Sequence, residues 1–391
     1  WNDAYPFVRL HQPSAFYGVN SRPLGNDTID QVGLNKGLFE LASSAEVCTY
    51  FDQVMQQQFL PSGRVQFLPM SEYRGDGRVT SRVTDQAWQI EAIRVVDATY
   101  MDVSVPAIRS PLYDVGEGVN SVPINGLATV VEPFDRYVVV GGGKTSMDAC
   151  LWLLQNKVNP DNIVWIRPRD SWILNRANIQ PGALARATME GQAKQSAAID
   201  NASNLDEMFA AIEAAAQLLR IDQTVRPTMY RCATCTVAEL EELRRIKNVV
   251  RQGHVTSITP DRIVLESGEI ETSARTLHVD CSADGLARRP QVPVFAGSQI
   301  TLQSVRTCQQ VFSAAFIAHV EAAYPDEATK NDLCRVVPHP DTHIDFLRTT
   351  RDASRNQVRW ARDHALTVWL GDARLDGFSA PQDPDATPSP E

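Results

Sequence analysis

A run of aromatic and β-branched residues, Tyr137-Val138-Val139-Val140, stops at Gly141-Gly142-Gly143 and gives way to Lys144-Thr145-Ser146-Met147-Asp148. A continuous β-branched run of this length is the mark of a strand buried on both faces, the kind found in parallel sheets covered by helices. Gly141, Gly143 and Ser146 fit the spacing G-x-G-x-x-small. Each position has a physical reason. A first glycine turns the chain sharply off the strand, a second lets backbone N–H groups approach a pyrophosphate, and a small third residue lets the helix pack close. Phosphates then rest against the helix N-terminus, whose unpaired donors and dipole favour negative charge. Gly142, Lys144 and Thr145 complete this loop. Residues 138–169 therefore read as a dinucleotide-binding βαβ unit. Gly143-Lys144-Thr145 also matches the tail of a nucleoside-triphosphate loop, but Val138 stands where that loop needs its first glycine. The loop is too short to wrap a triphosphate.

The second strand sets the expected cofactor. NAD-binding units place a carboxylate after it for the ribose 2′-hydroxyl, whereas arginine accommodates a 2′-phosphate. Here the order is Val164-Trp165-Ile166-Arg167-Pro168-Arg169-Asp170, so Arg167 and Arg169 point to NADP(H), with Asp170 as the opposing signal.

A chain of 391 residues exceeds what one core usually serves, so more than one domain is expected. The net charge of -10 argues against a general nucleic-acid binder. No apolar run approaches the roughly 20 residues that a membrane-spanning helix needs. Seven cysteines, thinly spread and odd in number, do not resemble a secreted disulfide framework, which points to a cytoplasmic protein. Helical sequence is expected at 37–58, 144–156, 205–219, 237–247 and 303–324, and short strands at 64–69, 77–84, 88–98 and 162–167. Residues 255–270 read as a β-meander turning at Asp261 and Ser267-Gly268, and 277–281 as a further buried strand. The Pro- and Asp-rich residues 380–391 read as disordered.

With these elements in place, the chain resembles the flavin-dependent two-dinucleotide-binding oxidoreductases, and among them the flavin-containing and Baeyer–Villiger monooxygenase branch. The stretch from Trp1 through Tyr5-Pro6, Arg9, His11 and Ser14 is similar to that branch's flavin-lining segment. Val95-Val96-Asp97-Ala98-Thr99-Tyr100 and Val279-Asp280-Cys281-Ser282-Ala283-Asp284-Gly285 are similar to its two crossovers between domains. The resemblance covers about residues 1–310. It implies an α/β protein of two Rossmann-like domains: an FAD domain over 1–105 lacking its opening glycine-loop unit, an NADP(H) domain over 133–250, and a return to the FAD domain over 251–378, with a tail at 379–391. It further implies FAD and NADP as cofactors, with Trp1, Tyr5, Arg9, His11, Ser14, Thr99 and Asp280 near flavin. The function implied is hydride transfer from NADPH to flavin, serving a small organic substrate either by monooxygenation or by onward reduction.

The departures matter. Tyr100 replaces a glycine, His11 stands where a carboxylate is common, and no histidine occurs between Met101 and Arg136, where that branch carries one. No residue stands out as a catalytic acid or base. Two rivals remain: a dithiol–disulfide oxidoreductase using Cys232-Ala233-Thr234-Cys235, and a non-enzymatic NADP(H)-binding module. Thr236 and Glu239 form a capping box just after the cysteine pair, which also fits a plain helix entrance. His339 and His343 fit a polar loop better than a metal site, and whether the chain self-associates is left open by the sequence.

Overall fold

The computed structural model describes residues 1–283 and 288–377. The expected tail, and Asp284-Gly285 of the second crossover, lie outside them. In chain order the first part holds α1 (Ser44–Val54), a three-stranded antiparallel sheet of β1 (Ser71–Tyr73), β2 (Arg78–Ser81) and β3 (Ala87–Gln89), then β4 (Val95–Asp97). Next come β5 (Asp114–Val115), β6 (Ser121–Pro123), β7 (Arg136–Val140), α2 (Lys144–Gln155) and β8 (Ile163–Ile166). An insertion follows: β9 (Ser171–Asn175), α3 (Ala185–Asp200), α4 (Leu205–Ala214), β10 (Leu218–Leu219) and β11 (Met229–Cys235). The chain returns through α5 (Val237–Leu243) and β12 (Asn248–Val250), makes a meander of β13 (Val255–Ile258), β14 (Arg262–Leu265) and β15 (Gly268–Glu271), and re-enters as β16 (Thr276–Asp280). The last part is β17 (Phe295–Ala296), β18 (Gln299–Thr301), α6 (Gln310–Ala323), α7 (Glu327–Leu333), α8 (His343–Trp360) and α9 (His364–Asp372).

The organising element is a five-stranded sheet in the order β12-β8-β7-β16-β6, with every pairing parallel. Two strands, β8 and then β12, run outward on one side of β7, and the chain crosses back to add β16 on the other, so the strand order reverses at β7. Strand alternation divides its residues between two cores. Tyr137, Val139, Ile163, Trp165, Leu277 and Val279 pack under α2 and α5, with Met147, Leu153, Leu240 and Leu243. Val138, Val140, Val164 and Ile166 face the meander, against Val255, Ile258, Ile263 and Leu265. Both faces are thus covered, as the unbroken apolar run in β7 requires.

Several expectations are met and several are redrawn. α2, β8, the meander and β16 fall where the sequence places them. β16 belongs to the parallel sheet with β7, however, so residues 251–280 complete this domain rather than begin a return to another. β6, in the stretch 106–132 between the first two expected domains, is also part of it. The helix expected over 205–219 ends at Ala214: Ala216 takes a left-handed φ of 53° and the chain reverses into β10. β9, α3 and β11 had no counterpart in the sequence reading. Residues 64–69 form no strand. Among the described residues this is the single large parallel sheet; the others have three or four strands. No described helix is long and apolar enough to cross a membrane.

Candidate functional site

The glycine loop sits where β7 ends, beside the end of β16. Gly141 takes φ 138°, and a Cβ there would lie 2.8 Å from the Cys281 carbonyl oxygen. A Cβ on Gly142 would lie 2.8 Å from the Arg169 carbonyl oxygen. Gly143 differs: nothing lies within 4 Å of where its Cβ would be. The first two glycines are therefore required by neighbouring backbone, and the third opens onto empty space. The turn is held from below by Trp165, whose indole N–H donates to the Gly141 carbonyl at 2.9 Å. Ser146 is fully buried and its hydroxyl donates to the Gly143 carbonyl at 2.7 Å, the small-residue packing expected of the motif. Gly143 is the N-cap of α2 and supplies no side-chain acceptor to the helix's first N–H groups. Lys144 folds back onto Asp148 one turn along, and Tyr5 donates to the same carboxylate at 2.7 Å.

This loop opens into a cavity of about 850 Å³ at the carboxyl ends of the parallel strands. Ligands in open α/β sheets bind at that end, where the strand order reverses. Its floor is Val140 through Thr145 with Met147, and Cys281 through Ala283 form one flank. The opposite flank is Pro168 and Arg169 beyond β8, and the roof comes from β9 and β11. The N-terminal segment contributes Trp1, His11, Phe16 and Tyr17, and the approach to α6 contributes Cys308 through Phe312. A second, more open hollow of about 620 Å³ lies between 159–161 and 241–247. It adjoins the amino ends of β8 and β12, away from every group discussed here.

Two polar groups in the main cavity are buried without a partner: His11 Nδ1 and the Tyr113 hydroxyl. Buried polar groups are satisfied in nearly all native structures, so both groups have a hydrogen bond left to offer into the cavity. Burial, then the cations Lys144 and Arg176, lowers His11 to about 3, so it presents a neutral imidazole at neutral pH. Burial, then Asp280, pushes the Tyr113 phenol upward, which keeps it a hydrogen-bond donor.

The two arginines after β8 have different employment. Arg167 is 2% exposed, pairs with Asp170, and stacks its guanidinium 4.8 Å from the Trp165 ring. Burial, then the neighbouring Arg251, lowers it to about 10, so it stays charged. It is part of the core and does not line the cavity, which corrects its expected role on a 2′-phosphate. Asp170 is also taken, held by Arg251 at 2.7 Å as well as by Arg167. Arg169 does line the cavity. It forms a bidentate pair with Asp341 at 3.0 Å, and Arg231 of β11 reaches the same carboxylate at 2.5 Å. Those hydrogen bonds, that of Arg169 foremost, hold the Asp341 carboxyl well below the usual range.

The residues expected near flavin do not gather. Trp1 and His11 reach the cavity. Tyr5 is packed against α2, Arg9 donates to the Leu41 carbonyl, and Ser14 is tied to Glu40 and Ala42. Thr99 is exposed and bonded to Asp97. Asp280 caps the turn after β16 by accepting from the Ser282 N–H, with Arg109 at 3.8 Å. Cys232 and Cys235 are not a pair: Cys232 is bonded to Cys308, and Cys235 is a buried free thiol. His339 is buried against Ser304, and His343 lies against the Thr228 carbonyl. Among the described residues no cluster of His, Cys, Asp or Glu could hold a metal ion. Tyr17, Tyr113 and Arg231 escaped the sequence reading. Their approach to the loop depends on tertiary packing, and no local pattern marks them.

The chain is 54% identical over 376 residues to "Uncharacterized protein Rv2000" of Mycobacterium tuberculosis strain H37Rv and "Uncharacterized protein Mb2023" of Mycobacterium bovis. The match covers 96% of this chain and 70% of each relative. The chain belongs to the family of these mycobacterial proteins. No family model matches it.

Proposed function

We propose that this chain binds NADP(H) in the cavity at the end of β7 and serves as the nucleotide-binding part of a cytoplasmic oxidoreductase acting on a small organic substrate. The observation that carries the reading is Gly143: a glycine with open space above it, at an uncapped helix N-terminus, in a loop whose other glycines are explained by backbone packing. The residues present fit a dinucleotide. The first N–H groups of α2 would hold the pyrophosphate. Arg169, with Arg231 beside it, stands where a 2′-phosphate would come, while Asp170 is withdrawn from any ribose by its two arginines. NADPH supplies a hydride; the chain's part is position and electrostatics. Phe16, Val311, Phe312 and Leu375 give the cavity an apolar wall. Neutral His11 and the Tyr113 phenol offer hydrogen bonds to whatever lies between them.

FAD, and with it a second Rossmann-like domain and monooxygenation, enters this proposal through the resemblance alone. The residues that the resemblance assigns to flavin do not converge, so no step is assigned to it here. The test is direct titration of the chain with NADPH, NADH and 2′,5′-ADP. NADPH should bind at least about tenfold more tightly than NADH, equivalent to one charge-assisted phosphate contact of about 1.5 kcal/mol or more, and 2′,5′-ADP should compete. Arg169→Ala should narrow that ratio, with NADH affinity little changed. Equal affinity for the two nucleotides would remove NADP(H) from the proposal, and binding of neither would remove the nucleotide. Binding without NADPH oxidation in the presence of electron acceptors would favour the non-enzymatic module.

A further inference from the structure

The Cys232–Cys308 disulfide lies in the cavity wall, and both of its residues line the cavity. Cys232 belongs to β11 at the point where its register against β9 slips, between Tyr230 and Thr234. Such a bulge re-aims side chains, and bulges favour functional sites. Cys232 itself has φ 55°, and Thr307, next to Cys308, has φ 45°. Non-glycine residues in this region are strained and persist only where the surroundings hold them. Both ends of the crosslink thus carry backbone strain, and the residues that flank it, Arg231 and Ala233 on one side and Gln309 to Phe312 on the other, line the same cavity. Cys308 is half-buried while Cys232 is buried, so an incoming thiolate meets Cys308 first. Of the five free thiols, Cys150, Cys235 and Cys334 are buried away from the cavity wall, Cys281 is buried in that wall, and Cys48 is half-buried elsewhere.

We propose that Cys232–Cys308 is a thiol–disulfide exchange site, with a dithiol as its reaction partner, and that it clasps the roof of the nucleotide cavity to the segment entering α6. A thiolate of the dithiol attacks Cys308 Sγ, the bond to Cys232 breaks, and Cys232 leaves as a thiolate that takes up a proton. The second thiolate of the partner then attacks the mixed disulfide and releases Cys308, which is protonated in turn. Two electrons enter the protein and the partner departs as a disulfide. In a reducing compartment, disulfides that form are usually transient and redox-sensing, which suits a bond placed at a ligand cavity. Reduction frees the bulge that carries Arg231, and so loosens the roof. The predicted fall in nucleotide affinity rests on the NADP(H) reading; the exchange and the loosening do not.

The experiment uses the full chain, oxidised in air and then exposed to graded dithiothreitol without denaturant. Alkylation and peptide mass measurement should show Cys232 and Cys308 becoming reactive together while Cys150, Cys235 and Cys334 stay protected. Hydrogen exchange should rise in 229–235 and 301–309, and NADPH affinity should fall at least threefold. Cys308→Ser should reproduce the reduced state and abolish its redox dependence. Finding both thiols free in the air-oxidised chain, a bond reducible only after unfolding, or unchanged hydrogen exchange after reduction would each overturn the proposal. If hydrogen exchange rises but neither form binds NADPH, the exchange site stands and the nucleotide reading falls.

Discussion

Replacing the three loop glycines one at a time by alanine separates what the fold needs from what a ligand needs. At Gly141 the φ of 138° and the Cys281 carbonyl 2.8 Å from the new Cβ act together. A backbone oxygen cannot rotate away, and the left-handed conformation alone costs an alanine about 1–3 kcal/mol. Gly141→Ala should therefore lose at least about 2 kcal/mol. Gly142→Ala meets the Arg169 carbonyl at 2.8 Å and should also destabilise the chain. At Gly143, with φ -98° and ψ -171°, the backbone suits any residue and the Cβ meets nothing. Alanine is a poorer N-cap than glycine, but it also restricts the unfolded chain. These effects oppose each other, so the net change should stay within about 1 kcal/mol. Affinity should show the reverse order. A methyl where the pyrophosphate meets the backbone displaces a charge-assisted hydrogen bond worth about 1.5–3 kcal/mol, or about 10–150-fold in Kd. Gly143→Val should abolish binding. Urea denaturation and NADPH titration of the same preparations measure both quantities. If Gly143→Ala costs as much stability as Gly141→Ala, or leaves NADPH affinity unchanged, the third glycine is structural and the reasoning fails.

Arg167→Ala should destabilise the chain by about 3 kcal/mol, the lower end for a broken buried pair because Arg251 still reaches Asp170. In denaturant titrations the midpoint should move, while the NADPH to NADH affinity ratio of the folded variant should not. Burial, with Lys144 and Arg176 nearby, lowers His11 from 6.5 to about 3, so the unfolded chain takes up this proton first as pH falls. Its contribution is complete above pH 6.5 and declines below it. Between pH 7 and pH 4 the chain should lose about 3 kcal/mol that His11→Asn does not lose, as urea midpoints across that range would show. Replacing Cys232 and Cys308 together by serine should cost about 2–4 kcal/mol against the oxidised chain, since the bond closes a loop across 76 positions. Equal stability of the oxidised chain and the double variant would deny the crosslink a stabilising role.

What was legible in the sequence is what local physics decides. β7 could be read because four consecutive residues must be apolar to satisfy helices on one face and a meander on the other. The capping box of Thr236 and Glu239 and the turns at Asp261 and Ser267 depend on a few neighbouring residues, and they fall in place. The insertion did not announce itself. Met229–Cys235 alternates poorly because both of its faces are covered, and Ala185–Asp200 carries no clear apolar stripe on which a helical period could be read.

The arginine expectation and the rival cysteine reading turn on the same thing, how a strand sits in the fold. Side chains two apart along a strand share a face. Arg167 follows Trp165 at that interval, and Trp165 lies in the core under α2, so an arginine continuing that row is directed into the protein and needs an internal carboxylate. Asp170, first read as a possible ribose ligand, is that carboxylate. Pro168 then turns the chain off the strand, which is why Arg169, although two further along, escapes to the cavity. The cysteine pair depends on a departure from that rule. Cys232 sits in the bulge of β11, between Tyr230 and Thr234, with a left-handed φ of 55° that re-aims its side chain, while Cys235 is back in register opposite Asn175. Cys232 finds its partner at Cys308, 76 positions away. The glycine loop could be read without knowing the fold because one strand and one helix generate it. The arginine and cysteine assignments needed the fold first, since one depends on which face of a strand is the inside and the other on where a strand bulges.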